Sequence, residues 1–184
     1  MRKIIPLALA AVFASAACIS ARGAVAVIDP KGAAEFVLKT CLPAVADLSK
    51  VDAMARQGNW FALPSNPAID RNSIAPGSGW RANKFVVRTW TWIKDGAHDP
   101  TCFIALLGDP TIERDEFFNA ISAAVELKQV PDEAPQSGGA QQRLRIETYD
   151  IKSDGLNRVQ FKMSVLSDGT VSSAMFSRVG SLGH

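Results

Sequence analysis

Toward its C-terminal end the chain alternates between apolar and polar side chains. Val159, Phe161, Met163 and Val165 alternate with Arg158, Gln160, Lys162 and Ser164, and Val171, Ser173, Met175, Ser177 and Val179 continue the same period. Upstream, Leu144, Ile146 and Thr148 alternate with Arg143, Arg145 and Glu147. A period of two predicts strands with one face buried and one solvated. Asp154-Gly155 and Asp168-Gly169 lie between the runs, and Asp-Gly in that position predicts hairpins. The expected product is an antiparallel meander with Ile146, Val159, Phe161, Met163 and Val165 facing inward.

A second strand pair is predicted in the middle of the chain. Lys84 to Ile93 is rich in Val, Thr and Trp, Lys94-Asp95-Gly96 turns it, and Thr101 to Leu107 is nearly all apolar. On the first of these strands Trp90 and Trp92 share a face with Val86 and Arg88, while Phe85, Val87 and Ile93 lie on the other. A strand apolar on both faces is either covered twice or presents an aromatic surface to a partner.

Helical spacing governs the rest. From Pro30 to Gly58, Phe36, Val37, Cys41 and Val45 recur on one face, with Pro43 as a break. Ser49 to Asp52 has the spacing of a capping box, and Gly58 stands where a left-handed C-terminal cap is expected. Asp109-Pro110 opens a third helix, whose apolar side runs through Phe117, Ile121, Ala124 and Val125 to Lys128 and which Pro131 stops. The Pro- and Gly-rich stretch 63–82 reads as a long loop, and 131–142 (PDEAPQSGGAQQ) as a flexible connection. The fold class expected is α+β: N-terminal helices and one amphipathic central helix on a mainly antiparallel sheet of about five strands. No repeat is visible in the sequence, and no composition shift divides residues 24–184, which are expected to form a single domain.

The N-terminus changes the picture of compartment. Arg2 and Lys3 precede the uncharged, mostly apolar run Ile4 to Ala17, and small residues follow at Ala14-Ser15-Ala16, Ala21-Arg22-Gly23 and Ala24-Val25-Ala26. This predicts a secretory signal peptide over 1–23, cleaved anywhere in 21–26, and a periplasmic or secreted protein. An uncleaved membrane anchor and lipidation at Cys18 are the alternatives; the apolar stretch is diluted by Ala, Ser and Pro6, and Ser15 stands where a lipoprotein signal prefers Leu or Val. Cleavage after Gly23 leaves 161 of the 184 residues and removes Arg2, Lys3 and Arg22, so that 17 basic side chains face 18 acidic ones. The formal charge of +2 thus belongs to the targeting segment, nothing electrostatic recommends a nucleic acid or anionic lipid as a partner, and no transmembrane span is expected in the mature chain.

Of the three cysteines, Cys41 and Cys102 remain after cleavage, an even pair that predicts one disulfide. A Cys102 nucleophile served by His98 is the rival reading, since the histidines are His98 and His184 alone. No nucleophile elbow, zincin, phosphate-loop or dinucleotide motif occurs, and no CxxC, so no cofactor and no metal are expected. Asp95, His98 and Asp99 form at most a solvated turn. All four tryptophans fall between Trp60 and Trp92, and Trp80, Trp90 and Trp92 are the candidate contact residues for a glycan or protein. Cys41-Leu42-Pro43-Ala44-Val45-Ala46-Asp47, Gly58-Asn59-Trp60 and Cys102 resemble uncharacterised small exported proteins of Gram-negative bacteria over roughly residues 30–130. The resemblance implies an export route and a two-cysteine frame and no catalysis. The function expected is a non-enzymatic binding or interaction protein acting at the cell envelope, with a small periplasmic hydrolase using unmarked carboxylates as the alternative.

Overall fold

The computed structural model describes residues 28–66, 77–94, 97–107, 111–131, 144–151 and 158–179. The signal segment, Cys18, most of 63–76, Asp95, Asp109-Pro110, the 131–142 connection beyond Pro131 and Asp154-Gly155 lie outside the described residues. Among the described residues three helices, α1 (Pro30–Cys41), α2 (Ser49–Gln57) and α3 (Arg114–Ala124), accompany eight strands. The strands are β1 (Phe61–Ala62), β2 (Ser78–Ala82), β3 (Phe85–Lys94), β4 (Ala97–Leu106), β5 (Leu127–Gln129), β6 (Leu144–Ile151), β7 (Arg158–Leu166) and β8 (Val171–Val179). All pairings are antiparallel, in one sheet ordered β1-β2-β3-β4-β8-β7-β6-β5. The architecture is α+β as expected, but the sheet has eight strands and not about five.

Three of the extra strands are short and carry weak signals. β1 is two residues and β5 three. β2, Ser-Gly-Trp-Arg-Ala, lies inside the predicted 63–82 loop, where Gly and Ser depress strand propensity. Gly79 lies beneath the Arg88 guanidinium, which passes within 2.9 Å of where a Cβ would stand.

The strand order reads the same from either edge when the two halves are exchanged. The first half is α1 and α2 and the second α3, each followed by a four-stranded antiparallel meander, and the halves join where β4 meets β8 over five residue pairs centred on Phe103 and Met175. α1 and α3 both start on an acidic cap: Asp29 accepts from the Lys31 and Gly32 amides, and Glu113 from the Glu116 amide. Topology repeats where sequence does not, because register and helix placement tolerate many residue choices that keep the pattern.

All three helices lie on one side of the sheet. Cys41 of α1 is bonded to Cys102 of β4, Phe36 stacks on Phe85 of β3 at 4.5 Å, and Phe118 of α3 meets Tyr149 of β6 at 4.9 Å. Under them sit Val37, Phe117, Ile121, Val87, Ile104, Phe161, Met163, Val165 and Phe176, all buried. The predicted disulfide is present, with Cα atoms 5.2 Å apart. In the chain-entropy model closing a loop of this length contributes about 4 kcal/mol.

Local signals were displaced in four places. At α2 the N-cap is Leu48 with no side-chain bond; Asp47 instead accepts from the Ser49 amide and hydroxyl. Gly58 has φ −84°, and Asn59, at φ 51°, is the left-handed residue. The Trp60 amide then donates to Ala55 and that of Asn59 to Arg56, the two bonds of a Schellman ending. The third helix begins at Arg114 under Glu113, and ends at Ala124, so Lys128 is in a strand. Finally, Ile146 is 55% exposed, a correction to its predicted core position. β6 continues through Tyr149 and Ile151, which are buried, and they set the inward parity; Glu147 shares that parity and goes under the helices.

Candidate functional site

Alternation along each strand defines a second face, turned away from the helices. Cross-strand register carries one row across it: Gly79, Arg88, Phe103, Met175, Lys162 and Thr148, one residue from each of six adjacent strands. A parallel row runs Phe61, Arg81, Val86, Ala105, Ser173, Ser164 and Ile146. The next, on the other side, runs Trp90, Thr101, Ser177, Gln160, Asp150 and Lys128. None of the described helices lies over these rows, although Trp90, Thr101 and Ser177 in the last of them are buried. Four of the most exposed large apolar side chains share this face: Phe61 (62%), Ile146, Leu144 and Leu166.

The tryptophans divide between the faces. Trp90 and Trp92 meet edge to face at 5.8 Å, and Trp90 also touches Phe103 at 6.1 Å, all on the open face. Trp90 is 6% exposed, and Trp92 and Phe103 are half-buried. The Trp90 indole N–H is buried with no acceptor among the described residues. Trp80 pairs with Val87 on the helix side, and its indole N–H donates to Asp52 of α2 at 2.8 Å. The structure thus brings Trp90 and Trp92 together and sets Trp80 on the opposite face.

Charge is also segregated. The open face carries Arg81, Arg88, Lys128, Arg158 and Lys162 against Asp99 and Asp150. Asp150 is bound by both Nε and Nη2 of Arg158, a two-pronged pair. Arg81 lies over the Phe61 ring at 5.3 Å, and Arg88 donates to the Pro64 carbonyl at 3.2 Å. In the first half Arg88 stands beside Phe103; in the second Lys162 stands beside Met175, at the corresponding register.

The sequence reading did not single out a buried ionic cluster on the helix side. The Glu147 carboxylate, 6% exposed, accepts from Arg114 at 2.6 Å, from the Tyr149 hydroxyl at 2.7 Å and from Arg145. Burial pushes Glu147 up, and donation from Arg114 and Tyr149 with the neighbouring guanidinium charges outweighs it, leaving the carboxyl below its ordinary value. The bond to Glu147 raises the Arg114 pKa above its ordinary value. Burial, then the bond to Glu147, push Tyr149 up to about 12. An ionised carboxylate with both oxygens engaged neutralises charge and holds α3 to β6; it is poorly placed to donate or abstract protons. The signal for it was Arg114 at the start of a helix together with an acidic residue on the parity of Tyr149 and Ile151.

The other candidates carry little chemistry. His98 is exposed opposite Ile93, and Cys102 is in the disulfide, which removes it as a nucleophile. No group of three or more His, Cys, Asp or Glu among the described residues could hold a metal ion. A small cleft between α1, α3 and the sheet is lined by Val37, Ile104, Phe117, Ala174 and neighbours, almost entirely apolar. No helix among the described residues is long and apolar enough to cross a membrane. No family model, curated protein or solved structure matches the chain.

Proposed function

We propose that the protein is an exported binding protein of the cell envelope, and not an enzyme, whose working surface is the open face of the sheet. One observation carries this reading: the helices take one face, and the other is left with exposed Phe61 and Ile146, half-buried Trp92 and Phe103, and an excess of cations. The solvated face of an antiparallel sheet is ordinarily polar, and large exposed apolar side chains on such a face mark an interaction site. The signal-like N-terminus and the cysteine pair support the compartment. The expected contacts on this face include Trp92 and the flank of Trp90; Trp80, from its place against α2, supports the fold.

Photo-crosslinking in intact cells tests this. A photoreactive amino acid at Phe103 or Lys162 should capture an envelope component, and the same probe at Glu35 or Glu116, exposed on the helices, should not. Equal capture from both sides, or capture from the helices alone, contradicts the reading.

A further inference from the structure

We infer that the ligand of the open face is an anionic glycan lying across the strands, bound in equivalent fashion by the two halves. The inference rests on the binding reading above and adds to it the class of ligand. It starts from the central row, Arg88–Phe103–Met175–Lys162, in which two cations flank two apolar side chains across four adjacent strands. Three strand spacings of ~4.8 Å set the two backbones about 14 Å apart. Arg88 and Lys162 occupy the same register position in their respective halves, so the spacing follows from the repeated topology.

The chemistry of the neighbours selects among polyanions. Ser173, Ser164, Gln160 and Thr148 offer hydroxyls and an amide around the central row, and Phe103, Trp92 and Phe61 offer ring faces. Sugar rings use both, stacking through C–H faces and hydrogen bonding through hydroxyls, while carboxylates or sulfates on alternate residues meet the cations. A protein partner fits the Lys162, Ser164 and Ser173 part of this face less well, because Lys and Ser are depleted at the cores of protein interfaces. A lipid surface fits less well too, since Phe61 and Ile146 are separated by five intervening strands.

Titration of the mature protein with an oligogalacturonate, followed by tryptophan fluorescence and calorimetry, tests the inference. Binding should be at least about tenfold tighter than for a neutral cello-oligosaccharide of equal length and should weaken as salt is raised. Arg88→Gln and Lys162→Gln should each weaken it about tenfold, the loss expected for one charge-assisted hydrogen bond. Glu35→Gln on the helix side should leave it unchanged. Equal affinity for the neutral sugar, preference for poly-glutamate or anionic phospholipid vesicles, or no binding to the oligouronate overturns the inference. If crosslinking at Phe103 still captures an envelope component in that event, the ligand class fails while the binding face stands.

Discussion

On β7 one strand serves two environments. Phe161, Met163 and Val165 are sealed beneath the helices, whereas Gln160, Lys162 and Ser164 are half-buried on the far side. The same division runs across the sheet. The helix side is closed by aliphatic and aromatic packing, one disulfide and one neutralised ionic cluster, in which both Glu147 oxygens accept hydrogen bonds. The open side has exposed Phe61, Ile146 and Leu144 beside cations that no described carboxylate neutralises, apart from the Arg158–Asp150 pair. Interior packing therefore explains the first set of residues and leaves the second without a structural task. The proposed binding function uses that second set.

Substitutions on the two sides should separate by size. Phe161→Ala removes a fully buried ring that meets Phe176 at 5.0 Å, and should cost roughly 3–5 kcal/mol in denaturant unfolding. A cost under about 1 kcal/mol would invert the faces. Reduction of the disulfide, or Cys41→Ser/Cys102→Ser, should cost about 4 kcal/mol in the chain-entropy model, read as a shifted urea midpoint. Next comes the ionic cluster. Arg114→Met leaves the buried Glu147 carboxylate short of a donor and should cost ~1–3 kcal/mol.

The cluster also predicts a pH dependence. The folded pKa of Glu147 lies below its unfolded value, so its contribution is present above the unfolded pKa of ~4.3. It is lost as pH falls through the lower folded value. In Glu147→Gln that part of the acid-side loss should vanish when urea midpoints are followed from pH 7 toward pH 2; an unchanged acid slope contradicts the assignment. Smallest of all, Ile146→Ala on the open face should change stability by no more than about 0.5 kcal/mol, although the residue is large and apolar.

Period-two patterning made β7 and β8 legible, and β3 and β4 were legible from their apolar, β-branched and aromatic composition around the Lys-Asp-Gly turn. It failed at β6 for an instructive reason. Arg145 and Glu147 look solvated until Tyr149 and Ile151 are counted with them, and only the arrival of Arg114 from a helix 33 positions away makes the burial of Glu147 tolerable. Local sequence cannot report a partner supplied at that distance. β1, β2 and β5 are held by their neighbours more than by their own propensities, so they were not visible either. Of the candidate site, the sequence placed Arg88, Trp90 and Trp92 on one face, while Lys162, Phe103 and Met175 join them only through strand order. Trp80 was grouped with them by proximity along the chain, and β2 register puts it on the other side.

The most direct test of the account is a paired measurement on Arg88→Gln/Lys162→Gln. If the open face works in binding and does not hold the fold, the double variant should keep its melting temperature within about 2 °C of the parent. Under the same conditions it should lose co-sedimentation with the envelope fraction. Undiminished co-sedimentation, or loss of the folded state, would contradict the assignment of function to this face.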